Sequence, residues 1–433
     1  MSGVNAPPQR AASHMIDCAR VRSSPVNQLP NAFVRLGKAP ASPTPNRKRM
    51  AISDQNPVAS PVAIVKPDHQ TTIRVSTARG PMRSPSQPPG TSKIAYARLN
   101  IIMTIDPYIR DALDLIEFAN GPVTSPWGAK RAALGHPAPF NLRLLGVGNE
   151  QWGPQYIERF ALFEKVLGQQ HPEITLIASA DPNFRSDNFP RQWDRLRELK
   201  ADFVDEHFYQ PPDWFLENVG RYDSYPRTGP KVFVGEYAAH VPSTGPQNMR
   251  PSTLEAALAE AVFMTGFERN ADVVQMSAYA PLLAHVDGWQ WTPNLIWFDN
   301  LRSFGTPSYY AQQMFGANLG ARVLPITLNG NAANGTSGVF SSAALSEGGR
   351  EVIVKLVNPG GDAREVAISF DGRTTGGEAT STTLAGDAAG ENSLAQPAHI
   401  APAIETFAVA GATFTRTLPA RSLTVLRVPL AAR

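Results

Sequence analysis

Short apolar runs alternate with longer amphipathic segments from about residue 106 to about residue 320. The short runs predict buried strands, and the segments with apolar residues every three to four positions predict helices. This alternation is typical of parallel βα units. The predicted strands are 142–148, 174–179, 203–208, 232–235 and 273–278, and the predicted helices are 156–168, 189–199, 214–219, 254–270 and 308–316.

The segment DPYIRDALDLIEFANG, from Asp106, predicts one more helix at the start of this region. Gly121 follows it as a stop signal. The helical period assigns five apolar residues to one face of this helix: Ile109, Ala112, Leu113, Leu115 and Ile116.

Buried parallel strands with helical returns permit two α/β architectures, an open doubly wound sheet or a closed (β/α) barrel. No glycine-rich phosphate loop follows a predicted strand, and this argues against a nucleotide-binding open sheet. After about residue 321 the period changes to two, which predicts an all-β module with strands at 351–357, 365–370 and 423–428. The Thr/Ala/Gly-rich stretch 374–398 is predicted to be a long loop.

Residues 1–98 differ from the rest in composition. Prolines interrupt every candidate helix, and residues 1–94 hold thirteen of the 40 Lys/Arg residues but only three of the 37 acidic residues. The composition predicts a disordered or non-native segment. A basic nucleic-acid-binding tail is the weaker alternative, because the segment has no interleaved aromatic and basic residues and no recognised binding module, so no nucleic-acid partner is expected. The expected domains are therefore 1–98, an α/β domain at 99–320 and a β-sandwich at 321–433.

The lone cysteine, Cys18, cannot form an intrachain disulfide, and no Cys/His cluster has metal-ligand spacing. No apolar run has the length of a membrane span, and the N-terminus lacks the apolar core of a secretory signal. A cytoplasmic location is the resulting expectation, with no membrane partner.

Two glutamates each follow or end a predicted strand: Glu150 in LRLLGVGNEQWG and Glu236 in KVFVGEYAAH. In a parallel barrel the strand C-termini open on one face, so both carboxylates would converge there. Two carboxylates on one face can cleave a glycosidic bond, one as acid and one as nucleophile or base. A single such glutamate is more often a helix cap or an ion-pair partner, but two on separate strands favour chemistry.

The strand end VDEHFYQPPDWF adds Asp205, Glu206, His207 and Tyr209 to the same expected face. His207 by itself is more often a packed, hydrogen-bonded histidine than a general base. Tyr209 and Tyr237 could each hold a neighbouring carboxylate in position.

Together with DALDLIEFANG, FMTGFERNADVVQMSAYAPLLAHVDGWQW and LIWFDN, these motifs resemble the α-L-arabinofuranosidases of glycoside hydrolase family 51. The resemblance runs in order from about residue 106 to the C-terminus. It implies a (β/α) barrel of retaining type followed by a β-sandwich, acting without metal or organic cofactor on arabinofuranosyl oligosaccharides or polysaccharides. It also implies that Glu150 is the acid/base and Glu236 the nucleophile.

The resemblance also implies substrate-binding roles. Asn149 would meet the sugar 2-hydroxyl, His207 would line the site and Tyr209 would orient the nucleophile. The furanose pocket would include a loop beyond the last strand, with Trp289, Gln290, Trp291 and Asn294.

One departure from the family pattern concerns the barrel itself. The five predicted strands correspond to barrel strands four to eight, and only 93–103 before residue 106 has strand character. A barrel without its first strands would leave an open sheet edge, so the chain as written is expected to have low activity. An inactive fragment that binds carbohydrate weakly is the alternative function, and another barrel glycosidase such as a xylanase fits the motifs less well. Family resemblance also suggests a homo-oligomer.

Overall fold

A computed structural model describes residues 107–243, 249–335 and 337–431. The predictions for residues 1–98, including the strand-like stretch 93–103, lie outside the described residues.

Each of the five predicted α/β strands is confirmed. Within the described residues they form one parallel sheet in sequence order, so that β1 and β5 are its edges. Most of their buried apolar residues are Val, Ile, Leu, Ala or Phe, as expected for the strands of a covered parallel sheet. The strands are β1 (Leu144–Val147), β2 (Thr175–Ser179), β3 (Phe203–Gln210), β4 (Lys231–Ala239) and β5 (Val274–Tyr279).

Helices follow these strands as predicted, and several begin at polar caps. Ser125, Thr253 and Thr306 each accept a hydrogen bond from a backbone N–H of the first helical turn. The described helices are α1 (107–120), α2 (Pro126–Ala133), α3 (Pro154–Gln170), α4 (Asn188–Glu198), α5 (Pro212–Glu217), α6 (Leu254–Arg269) and α7 (Pro307–Gly316), with a short 3₁₀ turn at Arg221–Ser224.

The predicted apolar face of α1 is confirmed except at one residue. Ile109 and Ile116 are buried, and Ala112 and Leu113 pack against the same core. Leu115 is 46% exposed, so its assignment to the buried face was wrong. It lies six residues after Ile109, and at 100° per residue this turns its side chain away from the face.

A small three-stranded sheet is formed by the chain between the end of β5 and the start of α7. Its strands are β6 (Leu283–His285), β7 (Ile296–Phe298) and β8 (Ser303–Gly305), and β7 is in the middle. The loop between β6 and β7 contains the sequence WQWTPN.

The C-terminal part is the predicted all-β module. Six strands form one sheet in the order β16, β15, β18, β13, β12, β9, while β14 pairs with β17 and β10 with β11. The strands are β9 (Arg322–Leu324), β10 (Thr327–Leu328), β11 (Asn331–Ala332), β12 (Phe340–Leu345), β13 (Glu351–Asn358), β14 (Arg364–Ser369), β15 (Thr375–Ala385), β16 (Ala403–Gly411), β17 (Thr413–Leu418) and β18 (Ser422–Pro429).

The prediction of a loop at 374–398 was wrong over its first half. Strand β15 occupies Thr375–Ala385 and pairs with both β16 and β18. Its threonines are β-branched and suit a pleated strand, and its alternate residues Ala379 and Ser381 are buried. The low apolar content concealed this alternation.

Strand β13 joins the two cores because it is buried on both faces. Val352, Val354 and Leu356 pack inside the sandwich. Ile353 and Val357 belong instead to the core that includes α6 and the α/β sheet. Because side chains alternate along β13, one face of this strand packs in the sandwich and the other face packs against the α/β part.

A buried ion pair lies in this junction. Lys355 of β13 is 1% exposed and donates to Glu268 of α6 and to the carbonyl of Asn318, 2.8 Å away. Ser342 donates to the same glutamate at 2.5 Å. Nearly every side chain of α6 is buried, as expected for a helix covered by a sheet on each side. No helix in the described ranges is long and apolar enough to cross a bilayer.

The replacement Lys355→Met should destabilise the protein strongly, because it leaves the Glu268 carboxylate buried without its cation. Removing one partner of a buried pair costs about 3–5 kcal/mol. Chemical denaturation followed by circular dichroism measures the free energy of unfolding. Arg416→Met is the control, since it breaks the more exposed pair with Glu405 and should cost less than about 1 kcal/mol. Equal small losses from both variants would contradict this role of the buried pair.

Candidate active site

The two glutamates lie at the carboxyl end of the parallel sheet. Glu236 belongs to β4, while Glu150 is the third residue after β1. The residue beside Glu236 on the neighbouring strand β3 is His207. The strand ends therefore bring together the side chains that the sequence places on one face.

His207 lies between the two carboxylates. Its Nδ1 atom is 3.0 Å from Oε1 of Glu150 and 3.5 Å from Oε2 of Glu236. One carboxylate oxygen of Glu150, one of Glu236 and a ring nitrogen of His207 all lie within 4.8 Å of one another. His207 is buried, whereas the side chains of Glu150 and Glu236 are 39% and 30% exposed and so can be reached from solvent.

Tyr209 holds the second carboxylate. Its hydroxyl donates to Oε2 of Glu236 at 2.7 Å, and its ring stacks on His240 with centroids 5.2 Å apart. Burial raises the pKa of Tyr209, and the hydrogen bond to Glu236 raises it further, so the phenol stays protonated and remains a donor. Of the two tyrosines proposed as orienting groups, Tyr209 makes this contact.

A β-bulge beside Glu236 creates a place for Asp205. Asp205 pairs with Phe233 and His207 with Glu236, so β4 has one residue more than β3 between these pairs. The N–H of Gly235, in the bulge, donates to Oδ1 of Asp205 at 2.9 Å. A Cβ atom at Gly235 would lie 2.2 Å from that oxygen, so only glycine fits here.

Asp205 in turn holds the far side of His207. Its Oδ2 atom is 3.0 Å from Nε2 of the imidazole. The His207 ring is thus bound to carboxylates through both nitrogens, which requires a proton on each nitrogen if both contacts are hydrogen bonds.

The charges around His207 favour its cationic form. Burial lowers the pKa of His207, but Asp205 and then Glu150 and Glu236 outweigh it and raise the pKa to about 9. Burial raises the pKa of Asp205 against the opposing pull of His207 and the Gly235 N–H. His240 shows the opposite behaviour, since burial and the nearby Arg250 lower its pKa to about 4.

Two residues expected at this face lie on the other side of the sheet. Glu206 is buried and accepts hydrogen bonds from Trp193, Tyr222, Tyr225 and Arg221. Tyr237 is fully buried and its hydroxyl bonds to Gln312 of α7. Side chains alternate along a strand, so a residue next to His207 or Glu236 must point away from them.

The other proposed substrate-binding residues occupy two loops. Asn149 is exposed beside Glu150, and Gln290 and Trp291 are exposed in the β6–β7 loop. Trp289 packs edge-on against Trp297, and Asn294 is buried with its amide donating to the carbonyl of Trp291. Asn294 therefore supports its own loop.

The β6–β7 loop is anchored next to the site. Leu295 packs with Ala238 and Tyr279, in a cluster that also contacts Tyr209. Within the described residues, no hydrogen bond joins the loop's proposed pocket residues to Glu150 or Glu236.

Sequence reasoning left Asp205 without a role. The available signals were its spacing of two from His207 on a strand and the glycine before Glu236. The donor atoms of Glu150, His207 and Glu236 are also close enough to surround a metal ion. The chemistry of paired carboxylates needs no metal.

Two family models match the chain. The α-L-arabinofuranosidase 1 domain matches residues 91–227, and the α-L-arabinofuranosidase C-terminal domain matches residues 235–422. Over these residues the chain matches the α-L-arabinofuranosidases of glycoside hydrolase family 51. The family resemblance seen in the sequence motifs is thereby confirmed.

Named arabinofuranosidases are similar to this chain over part of their length. The extracellular exo-α-L-arabinofuranosidase of Streptomyces chartreusis is 47% identical over 219 residues, which cover 50% of this chain and 25% of the relative. α-L-Arabinofuranosidase 1 of Arabidopsis thaliana is 33% identical over 327 residues, or 74% of this chain and 45% of the relative. The chain thus spans less than half the length of these relatives.

Solved arabinofuranosidase structures share the fold. An arabinose-bound family 51 enzyme superposes with a TM-score of 0.66 at 33% identity, over 76% of this chain and 52% of that chain. The arabinose complex of the Thermotoga maritima enzyme gives a TM-score of 0.60 at 20% identity, over 74% and 73% of the two chains. These neighbours support an α/β barrel class followed by a β-sandwich.

His207 should titrate well above its ordinary value of 6.5, at about 9, because carboxylates surround it. Its raised pKa contributes stability that is fully present below pH 6.5 and is lost as the pH rises through about 9. Asp205→Asn should lower the His207 pKa and weaken this loss of stability. NMR of the imidazole C–H resonances and unfolding at a series of pH values measure the two effects.

The internal control is His240, whose pKa of about 4 keeps it neutral over the same range. A His207 resonance that titrates near 6.5 in the unsubstituted protein would refute the proposed charge state.

Proposed function

We propose that this chain hydrolyses terminal α-L-arabinofuranosyl residues of oligosaccharides or polysaccharides with retention of configuration. The observation that carries this proposal is that a carboxylate oxygen of Glu150 lies within 4.8 Å of one of Glu236. Retaining glycosidases hold their carboxyl groups about 5–5.5 Å apart, and inverting enzymes about 6.5–9.5 Å apart. The identity of the sugar is inferred from the family match and from the names of the similar proteins.

Glu236 is the proposed nucleophile. The Tyr209 hydroxyl occupies one lone pair of Oε2, which fixes the carboxylate plane and leaves Oε1 for the anomeric carbon. An oxygen of Glu236 bonds to that carbon as the glycosidic C–O bond breaks, giving a covalent glycosyl-enzyme.

Glu150 is the proposed acid and then base. It gives its proton to the departing oxygen in the first step, and in the second it takes a proton from the water that attacks the anomeric carbon. This attack releases the Glu236 carboxylate and returns the proton to Glu150. His207 contacts both carboxylates, so a positive charge there offsets the repulsion between them when both are ionised.

The substrate-binding assignments follow from the family. Asn149 would bind the 2-hydroxyl, and Trp291, which is 66% exposed, would offer a ring face to the sugar. Asn294 would act by shaping the loop, together with Trp289 and Gln290. We also assign β1–β5 to barrel strands four to eight. The cytoplasmic location remains a prediction, although the Streptomyces relative is named extracellular, and the homo-oligomer also remains a prediction.

Removing the Glu236 carboxylate should abolish turnover even of activated aryl α-L-arabinofuranosides. No covalent intermediate can form, so Glu236→Ala should lose at least about 10⁴-fold in kcat. Glu150→Ala should release a burst of the activated phenol and then turn over slowly, because only the second step still needs its base. Rapid-mixing assays of phenol release measure both effects.

Glu158→Gln, at an exposed position on α3, is the matched control and should keep the activity of the parent chain. Equal losses from the two catalytic variants on the activated substrate would contradict the assigned roles. A folded parent chain without any phenol release would overturn the proposal in favour of an inactive fragment.

A further inference from the structure

The segment that carries Glu150 has an unusual backbone. Between β1 and α3, Gly148 and Gly153 both have φ of 85° and Glu150 has φ of 50°. For a residue with a Cβ atom, the left-handed region costs about 1–2 kcal/mol. Such a conformation persists only where its surroundings hold it in place.

Apolar packing does not hold this segment. Asn149 and Gln151 are exposed, and Trp152 is 56% exposed. The interactions that fix residues 148–153 must therefore be polar. One lies within the segment, where Nε2 of Gln151 donates to the carbonyl of Asn149 at 3.0 Å, and the others come from neighbouring elements.

Gln192 of helix α4 supplies two such interactions and ties itself to strand β2 with a third hydrogen bond. It is 3% exposed. Its Oε1 accepts from the N–H of Gly153 at 3.0 Å, and its Nε2 donates to the carbonyls of Gln151 at 3.0 Å and Ser179 at 2.6 Å. These partners fix the orientation of the amide, because one N–H needs an acceptor and two carbonyls need donors.

Ser179 and Tyr156 complete the network. Ser179, at the end of β2, accepts the N–H of Gln151 with its Oγ at 2.9 Å. The buried Tyr156 hydroxyl donates to the carbonyl of Val147 at 2.8 Å and accepts the N–H of Ser179 at 2.6 Å. The backbone on both sides of Glu150 is thus tied to β2 and α4.

We infer that Gln192 is a positioning residue that holds the Glu150 backbone in the orientation needed for proton transfer. The inference rests on the proposed function, in which Glu150 is the acid/base. Gln192 acts on Glu150 through the N–H of Gly153 and the carbonyl of Gln151. Its loss should therefore impair proton donation more than nucleophilic attack, since Glu236 is held separately by Tyr209.

Hydrogen exchange tests the restraint without reference to activity. In Gln192→Met, which keeps the length of the side chain but not its hydrogen bonds, exchange at the Gly153 amide should accelerate at least about tenfold. Amides within β3 and β4 should keep their protection. Arg191→Met, at the exposed neighbouring position on α4, should leave the Gly153 amide unchanged. Unchanged protection in Gln192→Met would overturn the inference.

Leaving-group dependence tests the positioning role in the full chain. With aryl α-L-arabinofuranosides, Gln192→Met should lower kcat/KM about 10- to 100-fold for an unactivated phenol but less than about threefold for a dinitrophenol, which needs no proton. A purely structural defect would lower both equally and would overturn the inference.

Ser179→Ala removes the bond from the Gln151 N–H together with a local bond to the Ala180 carbonyl but keeps the bonds of Gln192, so it should shift both readouts in the same direction by a smaller factor. It keeps the test available if Gln192→Met does not fold, and wild-type behaviour in that case would overturn the inference. A parent chain without turnover on the dinitrophenyl substrate counts against the proposed function, while hydrogen exchange still decides whether the restraint exists.

Discussion

The arrangement of the site depends on keeping two carboxylates close together. Glu150 and Glu236 approach within 4.8 Å, where two like charges repel unless a proton or a cation lies between them. His207 occupies that place, and Asp205 binds its far nitrogen. In the proposed mechanism Glu150 gives and takes a proton while the His207 cation stays beside the Glu236 carboxylate.

Two features of the fold support this arrangement, the bulge in β4 and the contact of α6 with the β-sandwich. The bulge in β4 turns the Gly235 N–H toward Asp205, and it sets His207 beside Glu236. Behind the sheet, α6 lies between the strands of the site and the β-sandwich, joined to the latter by Glu268 and Lys355. The sandwich is thus part of the support of the strands that carry the site.

Much of this could be predicted because strands and helices impose clear periods. The parallel strands, their helices and the pairing of Glu150 with Glu236 all followed from apolar runs and strand ends. Glu206 was misplaced because nearness to a strand end does not say which face a residue occupies. Strand β15 escaped prediction because its threonines lack an apolar pattern. Gln192 gave no signal, since its role depends on backbone groups that are distant in sequence, at Gly153 and Ser179.

The anomeric configuration of the first product tests the central claim most directly. Hydrolysis of an aryl α-L-arabinofuranoside by the full chain can be followed by ¹H NMR before mutarotation mixes the anomers. A carboxylate pair within 4.8 Å leaves no room for a water between the anomeric carbon and Glu236, so direct inverting attack is excluded and the account predicts α-L-arabinofuranose as the first product. Initial formation of the β anomer would contradict the account.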